Sequence, residues 1–240
     1  MTSPLRPVKS STYPEAVKHR RSISGVTDKI SVSDDRIVEI VNDVIQICPS
    51  SWNMQSTRIF VTLGNEHKKF WDTVISAAKP SFLKSQGEEA WKRNEQRFKY
   101  FRDAYGTNPF VFTKLAVSGR FLSSKTTHPS RSCMNGSLTS PFTVFETFAE
   151  HSNAMHQITL WIALELEDLG ASLQHSHFVP GVEFGILSSW SVKAEIVFGA
   201  HSGKRPTAPE KVPVSNTVKV YKWGMWLSRG GGVSIASVVT

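Results

Sequence analysis

Three stretches of the chain carry residue types suited to holding a polar ligand. "HRRSIS" (19–24) places Arg20, Arg21 and Ser22 directly after a short helical pattern. "CPSSWNMQSTR" (48–58) places Ser50, Ser51, Asn53 and Gln55 between an apolar helix and a strand, with no charge before Arg58. "GKRP" (203–206) places Lys204 and Arg205 beyond the last strand pattern. Arginines at a helix end either neutralise the negative end of the helix dipole or fork onto an anion. The serines and amides of the second stretch either end a helix as turn residues or offer uncharged donors and acceptors to a flat polar heterocycle. The residues by themselves leave both choices open.

Other chemistries are poorly supplied. The eight histidines make no H-E-x-x-H pair, and "HSH" at 175–177 has no carboxylate beside it, so no metal site is expected. The sequence contains no G-x-S-x-G, no P-loop and no G-x-G-x-x-G. The run "SRGGGVS" (228–234) lacks the preceding strand and following helix that a phosphate-binding glycine loop needs. No catalytic side chain is expected.

The elements that must position these residues read as an α+β alternation. "TYPEAVKHRRS" (12–22) is a short helix with basic residues at its C-terminal end. "SDDRIVEIVNDVIQICPS" is the clearest helix, with Ser33 as N-cap, Asp34 and Asp35 in the first turn, and Ile37, Ile40, Val41, Val44, Ile45 and Cys48 on one face. Pro49 stops it. A strand over 58–64 and helices over 65–80 and 87–106 follow. A long helix over 148–170 is expected to bury Ala154, Met155, Ile158, Ile162, Leu166 and Leu169, with Gly170 as its left-handed C′ residue. "ASLQH" and "VKAEIVFG" read as short strands.

Residues 107–147 lose charge and periodicity and gain Ser, Thr and Pro; a structureless loop of that length is unusual in a compact domain. The tail 223–240, with two Trp and three consecutive Gly, reads as appended. A mis-spliced or frame-shifted origin accounts for both compositions better than selection for a loop. The expected organisation is one domain over 1–222, atypical at 108–147, followed by an atypical tail.

At 240 residues, with 40% hydrophobic and 20% charged, the chain has material for one sizeable core. No apolar run reaches the ~18 residues of a membrane span, and the first residues have no secretory apolar core, so a soluble intracellular protein is expected. Two cysteines, Cys48 and Cys133, make no disulfide framework. The formal charge of +8 is scattered over "KHRR", "HKK", "WKRNEQRFK" and "GKRP". Such runs read as solvated faces rather than a nucleic-acid footprint, though a smaller anion could use one or two of them.

In their joint order, "HRRSI", "SDDRIVEIVNDVIQICPSSWNMQSTRIFVTLG", "WKRNEQRFKYFRDAYGT" and "HSNAMHQITLWIALELEDLGASLQH" resemble the flavin-dependent nitroreductases, in particular the short group that includes the fungal fatty-acid-repression-mutant type. The resemblance covers about 12–107 and 148–222. It implies a homodimer whose fold has a central, mostly antiparallel sheet flanked by helices. It implies FMN as cofactor, NADH or NADPH as co-substrate, and a nitroaromatic or quinone-like acceptor reduced by ping-pong hydride transfer, the chemistry being carried by the flavin. Carried over residue by residue, Arg20, Arg21 and Ser22 would approach the FMN phosphate and ribityl chain, with Lys204 and Arg205 as further phosphate candidates. Ser50, Ser51, Asn53 and Gln55 would meet the flavin of the other subunit, and Leu173, Gln174 and His175 would offer backbone groups to the flavin N5 region. A cytoplasmic and also nuclear location and an oxidative-stress or lipid-linked role go with it. The rival expectation, prompted by 108–147, is a regulatory or interaction protein without flavin activity.

Overall fold

The computed structural model describes residues 12–113, 141–176, 189–201 and 205–219, apart from the side chains of 112, 113 and 141–145. Lys204, Cys133, the tail 223–240 and the middle of the unusual segment lie outside the described residues. The chain divides into two compact units, Met1–Pro206 and Thr207–Thr240. The described part of the second holds one helical turn, Val214–Thr217.

The first unit is built on a six-stranded sheet: β1 (Val26–Thr27), β2 (Thr57–Ile59), β3 (Thr62–Leu63), β4 (Gly106–Thr113), β5 (Leu169–Gln174) and β6 (Trp190–His201). Every pair is antiparallel. β6 is central, with β5 along one side and β4 along the other; β2 and β3 pair with the outer edge of β4. The unusual segment thus starts as a core strand. Phe110 and Val111 are fully buried, and Pro109, which cannot donate to a ladder, sits next to a register shift and accepts from Phe60 N–H at 3.0 Å.

Helices cover both faces. α2 (Asp34–Ile47) and α4 (Pro141–Leu166) pack on one, where Ile37, Val41, Val44, Leu160 and Leu164 meet Phe110, Ile196 and Phe198. Ser33 caps α2 as expected, its Oγ accepting from Arg36 N–H. α3 (Gly64–Arg102) covers the other face. It runs on through Pro80 and breaks at Gly87 (φ 81°, ψ 178°), a backbone state open to glycine. The two halves fold back together, with Phe82 against Trp91 and Trp71 against Phe98 and Phe101. Fully buried His67 joins this layer to the sheet. Its Nε2 donates to the Phe101 carbonyl (2.9 Å), leaving Nδ1 to accept from Thr107 Oγ1 (3.0 Å), which in turn accepts from Trp71 Nε1 (2.8 Å).

Two expectations for the long helix need correction. Ala154 is exposed, as are Met155 (37%) and Ile158 (39%), while the buried face runs through Asn153, His156, Leu160 and Leu164. Spacing identifies an apolar stripe but does not say whether the same chain covers it. The helix also ends at Leu166, and the left-handed residue is Asp168 (φ 63°), not Gly170. Gly170 lies inside β5. The segment after α1 (Tyr13–His19) crosses there so closely that a Cβ would stand 2.8 Å from Val26 and 2.9 Å from Ile23. Among the described residues no helix is long and apolar enough to cross a membrane.

Candidate functional site

The last turns of α4 gather residues from three separate stretches of sequence. Trp161 and Glu165 are four apart and therefore share a helix face. Asp168 then turns the chain into β5, whose Ala171 carbonyl accepts from Trp161 Nε1 (3.2 Å) and from Ile23 N–H (2.9 Å). That second bond lays the Arg20–Ile23 stretch against the end of α4. The Arg20 guanidinium sits 4.3 Å from the Trp161 ring centroid, a cation–π contact, and has no hydrogen-bond acceptor among the described residues. Arg21 is used differently. Its Nη1 donates to the carbonyls of Lys18 (2.6 Å) and Arg20 (2.7 Å), finishing the C-terminus of α1, while its main-chain N–H points at Glu165. Ser22 is exposed beside them.

Glu165, with 1% of its side chain exposed, is the centre of this group. Its carboxylate accepts from Arg21 N–H (3.1 Å to each oxygen), Trp161 Nε1 (2.9 Å) and Arg205 Nη1 (2.6 Å). Arg205 is thereby drawn in beside Arg21, although the two are far apart in sequence. Its Nη2 is buried and has no partner among the described residues. The sequence reading missed Glu165. The available signal was an acidic residue set in the apolar run "TLWIALEL", four positions from a tryptophan.

The turn that follows α2 lies elsewhere. A 3-10 turn, Ser51–Asn53, contains Trp52 (φ 58°) and Asn53 (φ 52°), and Gln55 (φ 49°) follows. Three non-glycine residues in the left-handed region represent local strain of the kind that collects at functional sites. The turn is held from below: Met54 is buried against Ala149 and Phe148, Ser51 N–H donates to Ser152 Oγ (3.1 Å), and Ser50 Oγ accepts from Gln55 N–H (3.0 Å). Asn53 Oδ1 accepts from Gln55 Nε2 (3.1 Å), and both side chains are exposed. This turn meets α4 at Ser152, whereas the arginines meet it at Glu165, almost four turns on. At 1.5 Å per residue that is roughly 20 Å along one helix axis.

The third expected group closes β5. Leu173 faces the α2/α4 layer, Gln174 is bonded to Arg97 (2.7 Å) and Ser172 (3.1 Å), and His175 is exposed. Next to it, Ser176 donates through both its N–H and Oγ to the buried Glu195 carboxyl, at 2.9 Å each. Burial pushes that carboxyl up to about 7, against the opposing pull of the two Ser176 bonds.

A flavin mononucleotide places two demands on a site, and the residue types present suit both. Its phosphate needs donors not already satisfied, which the Arg205 Nη2 and the Arg20 guanidinium provide. Its ring system needs uncharged polar edges, which the turn at 50–55 and the backbone end of β5 provide. No group of His, Cys, Asp and Glu able to hold a metal ion occurs among the described residues.

Residues 17–183 match the sequence profile of the Nitroreductase family. The Saccharomyces cerevisiae protein HBN1 is 29% identical over 216 residues, spanning 88% of this chain and 97% of that one. The nitroreductase FRM2 of the same yeast is 27% identical over 217 residues, 87% and 96% of the two chains. Among solved structures, nitroreductase CinD from Lactococcus lactis in complex with chloramphenicol superimposes with a TM-score of 0.71 at 18% identity, over 88% of this chain and 100% of that one. A protein from Exiguobacterium sibiricum, solved in complex with FMN, gives a TM-score of 0.63 at 14% identity, over 88% and 98%.

Proposed function

The chain belongs to the nitroreductase family, and from that premise we propose that it is a homodimeric, FMN-dependent NAD(P)H oxidoreductase that reduces nitroaromatic or quinone-like acceptors. The observation that carries the reading is the convergence of Arg20 and Arg205 at the end of α4, with guanidinium nitrogens left over for an anion. Bound FMN supplies reversible hydride acceptance and donation at its ring. The protein's task is to bind, orient and shield. Arg205 Nη2 and Arg20 would hold the phosphate, with Ser22 as a candidate for the ribityl chain and the backbone groups of Leu173, Gln174 and His175 as candidates for the N5 edge; Lys204, outside the described residues, is a further phosphate candidate from its place in the sequence. No side-chain acid or base is required in this reading, and nicotinamide and acceptor would use one cleft in turn, in ping-pong order.

Spacing supports the dimer. The polar turn and the arginine cluster are separated by roughly 20 Å along α4, so the two are distinct polar groups on one helix rather than one cluster. In this reading Ser50, Ser51, Asn53 and Gln55 serve the flavin of the second subunit. Exposed apolar residues near that turn support the pairing: Ile47 (59%), Trp52 (60%), Met155 (37%) and Ile158 (39%), with Cys48 Sγ 4.0 Å from the Met155 carbonyl joining the two helices. Apolar residues exposed in this way suit a twofold contact.

The test is direct. Purified protein given FMN and desalted should retain a yellow flavin band in stoichiometric amount and give parallel-line kinetics with NAD(P)H and 4-nitrophenol or a quinone. A colourless protein that binds no FMN would return it to the regulatory, flavin-free reading.

A further inference from the structure

We infer that Glu165 is the positioning residue that makes the arginine cluster selective for the phosphate of the flavin. The inference rests on the reading proposed above and deepens it. A carboxylate with 1% exposure is costly to bury and is retained only when its lone pairs are filled. Here they are filled by three donors from three segments, each a component of the site: the backbone of Arg21, the Trp161 ring that carries Arg20, and Arg205 itself.

An arginine has four freely turning torsions, and a cluster of unpaired cations repels itself. Glu165 removes both obstacles. The 2.6 Å bond to Nη1 fixes one edge of the Arg205 guanidinium, so that Nη2 is left unpartnered in a defined direction. The bond to Trp161 Nε1 holds the indole plane on which Arg20 rests. The Arg205–Glu165 pair is close to neutral overall, so at Arg205 attraction for an anion depends on an oriented N–H group, while Arg20 and Arg21 keep the cluster positive. Glutamine at 165 would keep the shape but turn an amide donor towards groups that are themselves donors, and Arg205 would lose its fixed place.

The experiment uses the full-length protein stripped of flavin and titrated with FMN and with riboflavin, which lacks only the phosphate. Wild type should favour FMN by tenfold or more. Glu165→Gln should lower that preference by about tenfold while changing riboflavin affinity less than about threefold. Glu165→Asp keeps the charge but withdraws it by one methylene; it should lower the preference at least about threefold, and it carries the test if Glu165→Gln does not fold. Either variant keeping the wild-type FMN-to-riboflavin ratio overturns the inference, including the case where both affinities fall in parallel, which marks a purely structural role. A wild type without preference for FMN instead removes the phosphate reading itself, independently of the variants.

Discussion

Replacing Glu195 by glutamine should make the protein more stable at alkaline pH and leave it nearly unchanged at acid pH. Glu195 is fully buried in β6, opposite Gln174 of β5, and the only hydrogen bonds to its carboxyl among the described residues come from Ser176. Burial raises its pKa from 4.5 to about 7. Below pH 4.5 the group is protonated whether the chain is folded or not, and its contribution is fully present. Between 4.5 and about 7 the unfolded chain releases a proton that the folded chain keeps, so stability falls by about 1.4 kcal/mol per pH unit. Above about 7 the contribution is lost, roughly 3 kcal/mol in all. Glutamine cannot ionise, yet its carbonyl still accepts from Ser176 N–H and its amide can donate to a rotated Ser176 hydroxyl. Urea denaturation of both proteins at pH 5 and pH 8.5, at one fixed FMN concentration, measures the difference, because every other titration cancels between them. The expected gain at pH 8.5 over pH 5 is roughly 2–3 kcal/mol. A difference that is the same at both pH values would refute the reasoning, since it would mean that the carboxyl is solvated or already charged in the fold.

Arg20→Ala should weaken FMN binding by roughly 1.5–3 kcal/mol, tenfold or more in Kd, as read by flavin titration; unchanged affinity in a folded protein would leave Arg20 as a partner of Trp161 only. Asn53→Gly, which keeps the left-handed backbone accessible, should also lose flavin. After subunit exchange with Arg20→Ala it should recover up to about a quarter of the wild-type sites, because each mixed dimer holds one unmutated site; no recovery in exchanged dimers would place the turn in its own chain's site. The His67 ring, buried and lowered to about 4, should remain neutral with its proton on Nε2 down to that pH, by nitrogen-detected NMR; titration near 6.5 would contradict its bonds to Phe101 and Thr107. Stability from this residue is present above 6.5 and lost as pH falls through about 4. Gly199→Ala should cost about 2 kcal/mol or more, measured by thermal unfolding, because a Cβ there would stand 2.3 Å from the Thr27 carbonyl oxygen.

Local chemistry was legible in the sequence. Ser33, the two aspartates behind it and the 3–4 spacing of Ile37 to Val44 define α2 without reference to the rest of the chain, because capping and amphipathic spacing act over a few residues. The composition of the turn at 50–55 and the paired arginines likewise marked candidate stretches, and the order of the motifs carried the family. Contacts between distant residues were not legible. β4 hid in a segment whose Pro109 argues against a central strand, and only its partners on both sides make it one. Gly170 looked like a helix end, but the approach of Ile23 and Val26, more than a hundred positions away, is what requires a glycine. The two arginines of "HRRS" were indistinguishable in sequence, yet one caps its own helix and the other rests on Trp161. Glu165 read as one more helix residue until the fold brought three donors to it. Sequence by itself determined which residues could offer forked cationic or uncharged hydrogen bonds and which helices would carry them, because those properties belong to single residues and their near neighbours. Tertiary structure decided which guanidinium caps a helix and which rests on Trp161, which apolar residues stay exposed and which carboxylate is buried, because each of these depends on what other segments bring within a few ångströms.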